Sequence, residues 1–406
     1  MNITREYTKI TISKKGELSA KSGHPWVYDN VITKVEGNYE NGDLVDVLNE
    51  KEKYLGTGFI NNNSKIRVRI ISKNTNETFD EAYWERKIKY AWDYRKTVMG
   101  EDIGATRIIF GEADGFPGLT VDRFNDILVA EVLSLGIDVR KDVIFNLLYK
   151  VLKEDNQNII GIYERNDVAI RKLEGLEEYK GYYKLKDIEV PTKTITQIIE
   201  NGITYNVDVE NGQKTGFFLD QKYNRLAIQK IAKGKKVLDC FTHTGSFAIN
   251  AAIGGAVHVH AVDVSETAIN MAKENTALNN LIDKISFEVA DVFDLLPTIP
   301  KNTYDFIILD PPAFTKSRKA IDNAYNGYKK INYEALKLLP RGGYFATCSC
   351  SHFMQNNKFI EMLKEAASDA DVSLKQIESR QQACDHPILW NVPETDYLKF
   401  YIFQVV

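Results

Sequence analysis

Four aspartates, a doubled proline and two cysteines in the C-terminal half of this 406-residue chain are the residues whose types and spacing could do chemistry. Val237-Leu238-Asp239-Cys240-Phe241-Thr242-His243-Thr244-Gly245-Ser246-Phe247 stands where an apolar strand pattern ends and a helix pattern begins. Asp263 closes the next strand pattern, and Asp291 follows the third. In an open α/β sheet, ligands bind outside the carboxyl ends of the strands, so the three carboxylates serve one site. Asp263 is placed to accept from both hydroxyls of a ribose, and Asp291 to meet an exocyclic amine such as that of adenine. A dinucleotide fold requires GxGxxG so that backbone can approach a pyrophosphate. Here Gly245 stands alone, and Asp239 would repel a pyrophosphate while suiting an ammonium group. These features select S-adenosylmethionine over a dinucleotide.

Ile307-Ile308-Leu309-Asp310-Pro311-Pro312-Ala313-Phe314 ends a fourth, fully apolar strand. Two prolines fix φ and remove two backbone donors, so the loop is stiff and presents Asp310 and carbonyl groups. That suits the edge of a planar base, with Phe314 for its face. Strand alternation puts Cys348 and Cys350 on one face. Cys348 lies within the apolar run and reads as core. Cys350 lies past it, beside the Asp-Pro-Pro loop, where a thiolate could attack a ring carbon. Position alone leaves Cys350 open between a nucleophile and an inert thiol. Lys316, Arg318, Lys319, Lys329 and Lys330 against Asp322 give residues 314–330 a net charge of +4, which reads as a phosphate clamp.

The elements that must position these groups are legible from pattern. Strands at Lys236–Asp239, His258–Asp263, Ile285–Ala290, Phe306–Asp310 and Gly343–Cys348 alternate with helices at Phe247–Ala252, Ser265–Asn279 and Asn323–Leu339, as a doubly wound parallel sheet requires. A hairpin with an Asn201-Gly202 turn and a helix over Tyr223–Ala232 precede them. Residues 1–72 read as a small all-β unit. Residues 73–192 read as an α+β unit, with helices at Glu77–Val98 and Val143–Leu152, strands at Ile108–Phe110, Ile127–Val132 and Ile159–Tyr163, and a turn over Gly111–Gly118. The expected domains are therefore 1–72, 73–192 and 193–406. No apolar run of membrane-spanning length and no signal-peptide pattern is present. Four cysteines without CxxC spacing make neither a disulfide framework nor a metal site. A cytoplasmic location is the expectation. The net charge of −4 speaks against a nucleic-acid partner as a whole-chain average. The acidity, however, is concentrated in the central unit, at −5, while the first unit carries +2.

These residues resemble the class I S-adenosylmethionine-dependent RNA methyltransferases, and among them the ribosomal RNA large subunit methyltransferase I family, along the whole chain. Gly23-His24-Pro25-Trp26-Val27-Tyr28 and Gly42-Asp43-Leu44-Val45 resemble its N-terminal PUA domain, an RNA-binding β-barrel. Gln213-Lys214-Thr215-Gly216-Phe217-Phe218-Leu219-Asp220-Gln221 and Arg225 resemble the motif before the cofactor strand. The implied fold is a Rossmann-like methyltransferase domain with an N-terminal PUA-like barrel and a central α+β domain.

The resemblance further implies formation of 5-methylcytosine in large-subunit ribosomal RNA through a covalent adduct. Cys350 of Ser349-Cys350-Ser351 is then the nucleophile, assisted by Asp310. Lys214, Phe218, Asp220, Arg225, Asp239, Phe241, Gly245, Asp263 and Asp291 would bind the cofactor. Pro311, Pro312, Phe314, Lys316, Arg318 and Lys319 would meet the RNA. The implied partner is RNA, with no membrane; a homodimer fits the same reading. Cys348 and His352 depart from the family pattern. Two alternatives remain: a base amino-methyltransferase that uses the Asp-Pro-Pro loop without an adduct, and a non-catalytic RNA-binding assembly factor.

Overall fold

The strands that carry the aspartates lie side by side in a seven-stranded sheet. The computed structural model describes residues 6–314 and 321–406. In chain order the strands of this sheet are β14 (Lys236–Cys240), β15 (His258–Asp263), β16 (Ile285–Val289), β17 (Phe306–Leu309), β18 (Tyr344–Ser349), β19 (Leu374–Arg380) and β20 (Lys399–Val405). Thirteen earlier strands precede them. The spatial order is β16-β15-β14-β17-β18-β20-β19. The first five run parallel, and β20 is antiparallel to both of its neighbours.

Four apolar side chains in a row make β17 fully buried, which a strand covered on both faces demands. Leu238, Ile307 and Leu309 of the central strands pack with Tyr328, Ile331 and Ala335 of the helix Ile321–Leu338. Phe359, Met362 and Leu363 of the helix Asn356–Asp369 join the same core. The order reverses between β14 and β17, so the crevice of this sheet opens at their carboxyl ends. The sheet belongs to a compact unit of residues Ile199–Asn206, Asp220–Ala383 and Asp396–Val406.

The other unit comprises Met1–Ile198, Val207–Leu219 and Cys384–Thr395. It holds a six-stranded sheet of β1 (Thr8–Ile12), β2 (Trp26–Tyr28), β3 (Ile32–Glu36), β4 (Leu44–Asn49), β5 (Tyr54–Ile60) and β6 (Ile66–Ser72), in the order β2-β6-β5-β4-β1-β3. A helix at Lys14–Lys21 interrupts what the sequence presents as all-β. A five-stranded sheet follows, of β7 (Ala105–Phe110), β8 (Leu119–Phe124), β9 (Ile127–Val132), β10 (Gly161–Asn166) and β11 (Tyr179–Tyr182). Helices Glu81–Met99 and Lys141–Glu154 cover it with Trp84, Ile88, Trp92, Phe145 and Leu148.

Phe59 and Ile71 of the first sheet belong to that same apolar core, and Trp84 stacks on Phe59 at 6.2 Å. The segment Cys384–Thr395 also packs in this unit. Asp385 accepts from the Arg107 amide at 2.9 Å and from the Thr106 hydroxyl at 3.1 Å. The Asn391 side-chain amide donates to the Gly23 carbonyl at 2.5 Å. The expected turn at Gly111–Gly118 contains a short helix, Gly111–Asp114, and β8 begins directly after it. Asp122, buried in β8 and paired with Arg107, breaks the apolar run that would have marked this strand.

Between these sheets in the sequence come β12 (Ile195–Glu200) and β13 (Ile203–Asp208), joined by Asn201-Gly202. Both turn residues have positive φ, 54° and 76°, as a two-residue hairpin turn requires. Among the described residues, no helix is long and apolar enough to cross a membrane, and no cluster of His, Cys, Asp or Glu could hold a metal ion.

Candidate active site

The loop after β14 is held in an unusual backbone conformation. Phe241, His243 and Gly245 have φ of 63°, 51° and 79°. Left-handed backbone at non-glycine residues costs on the order of 1–3 kcal/mol each and collects at functional sites. Gly245 is required twice over, since a Cβ there would also lie 3.0 Å from the Cβ of Ala272. The loop is fastened by Asp263, whose two oxygens accept from the amides of His243 and Ser265, each at 2.9 Å.

Asp239, the penultimate residue of β14, has no exposed surface. Its Oδ2 accepts from the Thr242 hydroxyl at 2.6 Å, and the Ala248 amide lies on the same carboxyl, while Oδ1 has no well-formed hydrogen bond among the described residues. Burial, with the carboxylates of Asp310 and Asp263 adding to it, pushes this acid up to about 7. A buried carboxylate oxygen without a well-formed hydrogen bond is what an ammonium group would complete. This geometry fits the amino group of an S-adenosylmethionine. Asp291 is exposed, and its Oδ1 accepts from the Phe293 amide at 2.8 Å as the cap of a short helix. Val264, directly after Asp263, is 68% exposed.

Asp310 follows β17. Its Oδ1 accepts from the Cys348 thiol at 2.8 Å and the Gln221 side-chain amide at 3.2 Å. Asn224 orients Gln221 through a 2.6 Å bond to its Oε1, and Arg380 donates to Asn224 at 3.2 Å. Cys348 is fully buried. Burial and the adjoining Asp310 push its thiol well above the ordinary range. Cys350 is half-buried at the end of the same strand. Ser349 between them donates to the Tyr328 hydroxyl at 3.0 Å. Pro311 is buried and Pro312 exposed. Phe314 is half-buried, its ring centre 4.5 Å from that of Tyr328 and 5.7 Å from that of Phe293.

Two expectations change. Arg225 is 1% exposed and gives a two-pronged hydrogen bond to Glu200, at 2.7 and 2.8 Å. Its guanidinium is spent inside the fold, because a buried charge needs a partner of opposite sign. Lys329, counted in the basic cluster, pairs with Glu365 at 3.0 Å and Asp369 at 3.1 Å, and the ammonium of Lys330 lies 5.7 Å from the Phe293 ring. Both acids come from a helix that the sequence reading did not reach, and they cancel the charge of Lys329. Lys316, Arg318 and Lys319 lie outside the described residues.

Asp220 accepts from the Tyr397 hydroxyl at 2.7 Å. Lys214 and Phe218 belong to the other unit, where the lysine ammonium sits 4.5 Å from the phenyl ring. Sequence reasoning missed Lys399, a lone cation opening an apolar strand, which is itself the signal that could have found it.

The PUA-like domain family matches residues 10–73, and the S-adenosylmethionine-dependent methyltransferase family matches residues 187–403. The ribosomal RNA large subunit methyltransferase I of Shigella dysenteriae is 36% identical over 402 residues, covering 98% of this chain and 99% of its own. The Klebsiella pneumoniae protein of the same name is 35% identical with the same coverage. Two solved structures share the fold at lower identity. One is described as a SAM-dependent methyltransferase from Streptococcus mutans: 23% identity, 98% and 99% coverage, TM-score 0.80. The other is a methyltransferase complexed with SAH: 22% identity, 98% and 99% coverage, TM-score 0.82.

Proposed function

The chain belongs to the S-adenosylmethionine-dependent ribosomal RNA large subunit methyltransferase I family, and we propose that it methylates C5 of a cytosine in large-subunit ribosomal RNA through a covalent adduct on Cys350. The observation that carries this reading is the contrast between two thiols at one strand end. Cys348 is sealed in the core with its proton directed at Asp310, whereas Cys350 is half-exposed just past the end of β18, which pairs with the strand leading into Asp-Pro-Pro. Cytosine C5 is a poor nucleophile. Addition of the Cys350 thiolate at C6 gives C5 enamine character, so that C5 could take up the methyl group; transfer of the C5 proton to a base would then break the C6–S bond and return the thiolate.

Asp310 would hydrogen-bond the pyrimidine edge and stabilise charge developing in the ring. Cys348 and Gln221, both donating to Oδ1, fix the direction of that carboxyl. Asp239 would hold the cofactor's ammonium, Asp263 its ribose and Asp291 its adenine; Asp220 would line the methionine side. The bound cofactor supplies an electrophilic methyl group. The PUA-like domain and the basic residues Lys316, Arg318 and Lys319 would hold RNA by its phosphates, with an affinity that falls as salt rises.

RNA carrying 5-fluorocytidine at the target traps the adduct, because fluorine cannot leave as a proton does. The native protein should form a denaturation-resistant RNA adduct and Cys350→Ala none. Full methyl transfer by Cys350→Ala would overturn the covalent scheme and favour direct attack by an exocyclic nitrogen.

A further inference from the structure

Lys399 opens β20 directly opposite Ser349 of β18 and is only 6% exposed. Its ammonium donates to the Ser351 carbonyl at 2.6 Å and the Tyr397 carbonyl at 2.8 Å. The cation is thus anchored on the residue after Cys350 and lies across the ladder from the residue before it. Two carbonyls take two of its three N–H donors, and the third has no hydrogen-bond acceptor among the described residues. No carboxylate lies within ion-pair distance of Lys399 there either.

A buried ammonium without a counter-ion is costly, and a leucine would fill the same strand position without that cost. Burial lowers the pKa of Lys399 to about 8, while Cys350, Asp396 and Cys348 act in the opposite direction. Among the described residues, the other titratable groups near this corner are Asp310, which accepts from the Cys348 thiol, Tyr328, held up by burial, and His352, whose ring lies 3.5 Å from the Asp396 carbonyl oxygen. A nearby cation favours the thiolate form of a cysteine.

We propose that Lys399 is a cation that helps to hold Cys350 as a thiolate, a positioning residue acting through the sulfur and not on the RNA. The Cys350 S–H bond breaks, its proton goes to solvent, and the electron pair stays on sulfur beside an ammonium that keeps all three protons. The role of that thiolate in methyl transfer rests on the reading of Cys350 given above; its acidity does not.

The test is the pH dependence of iodoacetamide alkylation at Cys350 in the full chain, followed by peptide mass spectrometry, with 5-fluorocytidine RNA trapping run in parallel. In the native protein the alkylation rate should level off below pH ~8.5, the value of a free thiol. Lys399→Met should slow alkylation at pH 7 about tenfold and move the plateau to higher pH. Lys399→Arg, which keeps the charge, should restore most of the rate. Thermal melting and cofactor affinity of each variant separate this effect from misfolding. Identical profiles for Lys399→Met and the native protein, or a native plateau at the free-thiol value, would overturn the inference even where the RNA adduct forms. A shifted Lys399→Met profile with no native adduct would uphold it while removing the covalent scheme.

Discussion

Asp239→Asn removes one buried charge while leaving an acceptor for Thr242, and its consequences can be worked out for both ligand and fold. With the carboxyl titrating at about 7, roughly a tenth of the molecules carry the charge at pH 6 and about three quarters at pH 7.5. Affinity for an amino-acid ammonium should therefore rise about eightfold over that interval. It should level off above, where the cofactor's own α-amino group, near ~7.7–8.0, begins to lose its proton. Asparagine cannot form the charge-assisted bond, worth about 1.5–3 kcal/mol, so binding at pH 7.5 should weaken by about 10- to 150-fold and the acid limb should flatten.

Stability should move the other way. The folded protein keeps the Asp239 proton up to about 7, whereas the unfolded chain loses it near the ordinary 3.8. Ionisation therefore withdraws stability between those values, and the full penalty persists above pH 7. At ~1.4 kcal/mol for each pH unit, that penalty is on the order of 4 kcal/mol. The ligand-free variant should accordingly gain stability over its parent as pH rises from 5 to 7.5. Isothermal titration with S-adenosylhomocysteine and urea unfolding, each across pH, measure the two effects. Equal acid limbs for variant and parent, or a variant that is less stable at pH 7.5, would refute the reasoning.

Arg225→Met leaves the Glu200 charge buried without its partner and should cost about 3–5 kcal/mol in urea unfolding; Arg225→Met with Glu200→Leu should recover most of it. Gly136→Ala would set a Cβ 2.1 Å from Cγ of Phe59, where β5 meets the second sheet. Overpacking of this kind costs about 1–3 kcal/mol. Because the two sheets share one apolar core, hydrogen exchange should show lost protection in both β5 and β9, and loss confined to one sheet would contradict the shared core.

The alternation of strand and helix from Lys236 to Ser349 was readable because each element there repeats one hydrophobic period and stops at a polar or glycine punctuation. Phe306–Leu309 has nothing but apolar residues, and Asn201-Gly202 names its own turn. The C-terminal strands were harder. Leu374–Arg380 is an edge strand with mostly exposed side chains, so its letters carry little apolar signal. β8 hides because two of its residues, Asp122 and Arg123, are charged and yet buried. A buried charge reads as surface until its partner is known, and Arg107 sits fifteen positions away.

The site divides along the same line. The order of Asp239, Asp263, Asp291 and Asp310, and the Ser-Cys-Ser after an apolar strand, are properties of the sequence, because strand ends in a parallel sheet must converge on one edge. Which thiol is sealed and which is exposed depends on how deeply each sits at a strand end, and only packing decides that. Arg225 and Lys329 looked available in sequence because charge is a property of a residue, whereas availability depends on who stands beside it. Glu200, Glu365 and Asp369 come from elements brought close by the fold alone. Lys399 is the converse case, 49 residues beyond Cys350 in the chain and brought beside it by antiparallel pairing of β20 with β18. Residue order alone settles which chemical groups line the carboxyl edge of the sheet. The tertiary structure decided which of them are charged, paired or open, because desolvation and partnership belong to neighbours in space.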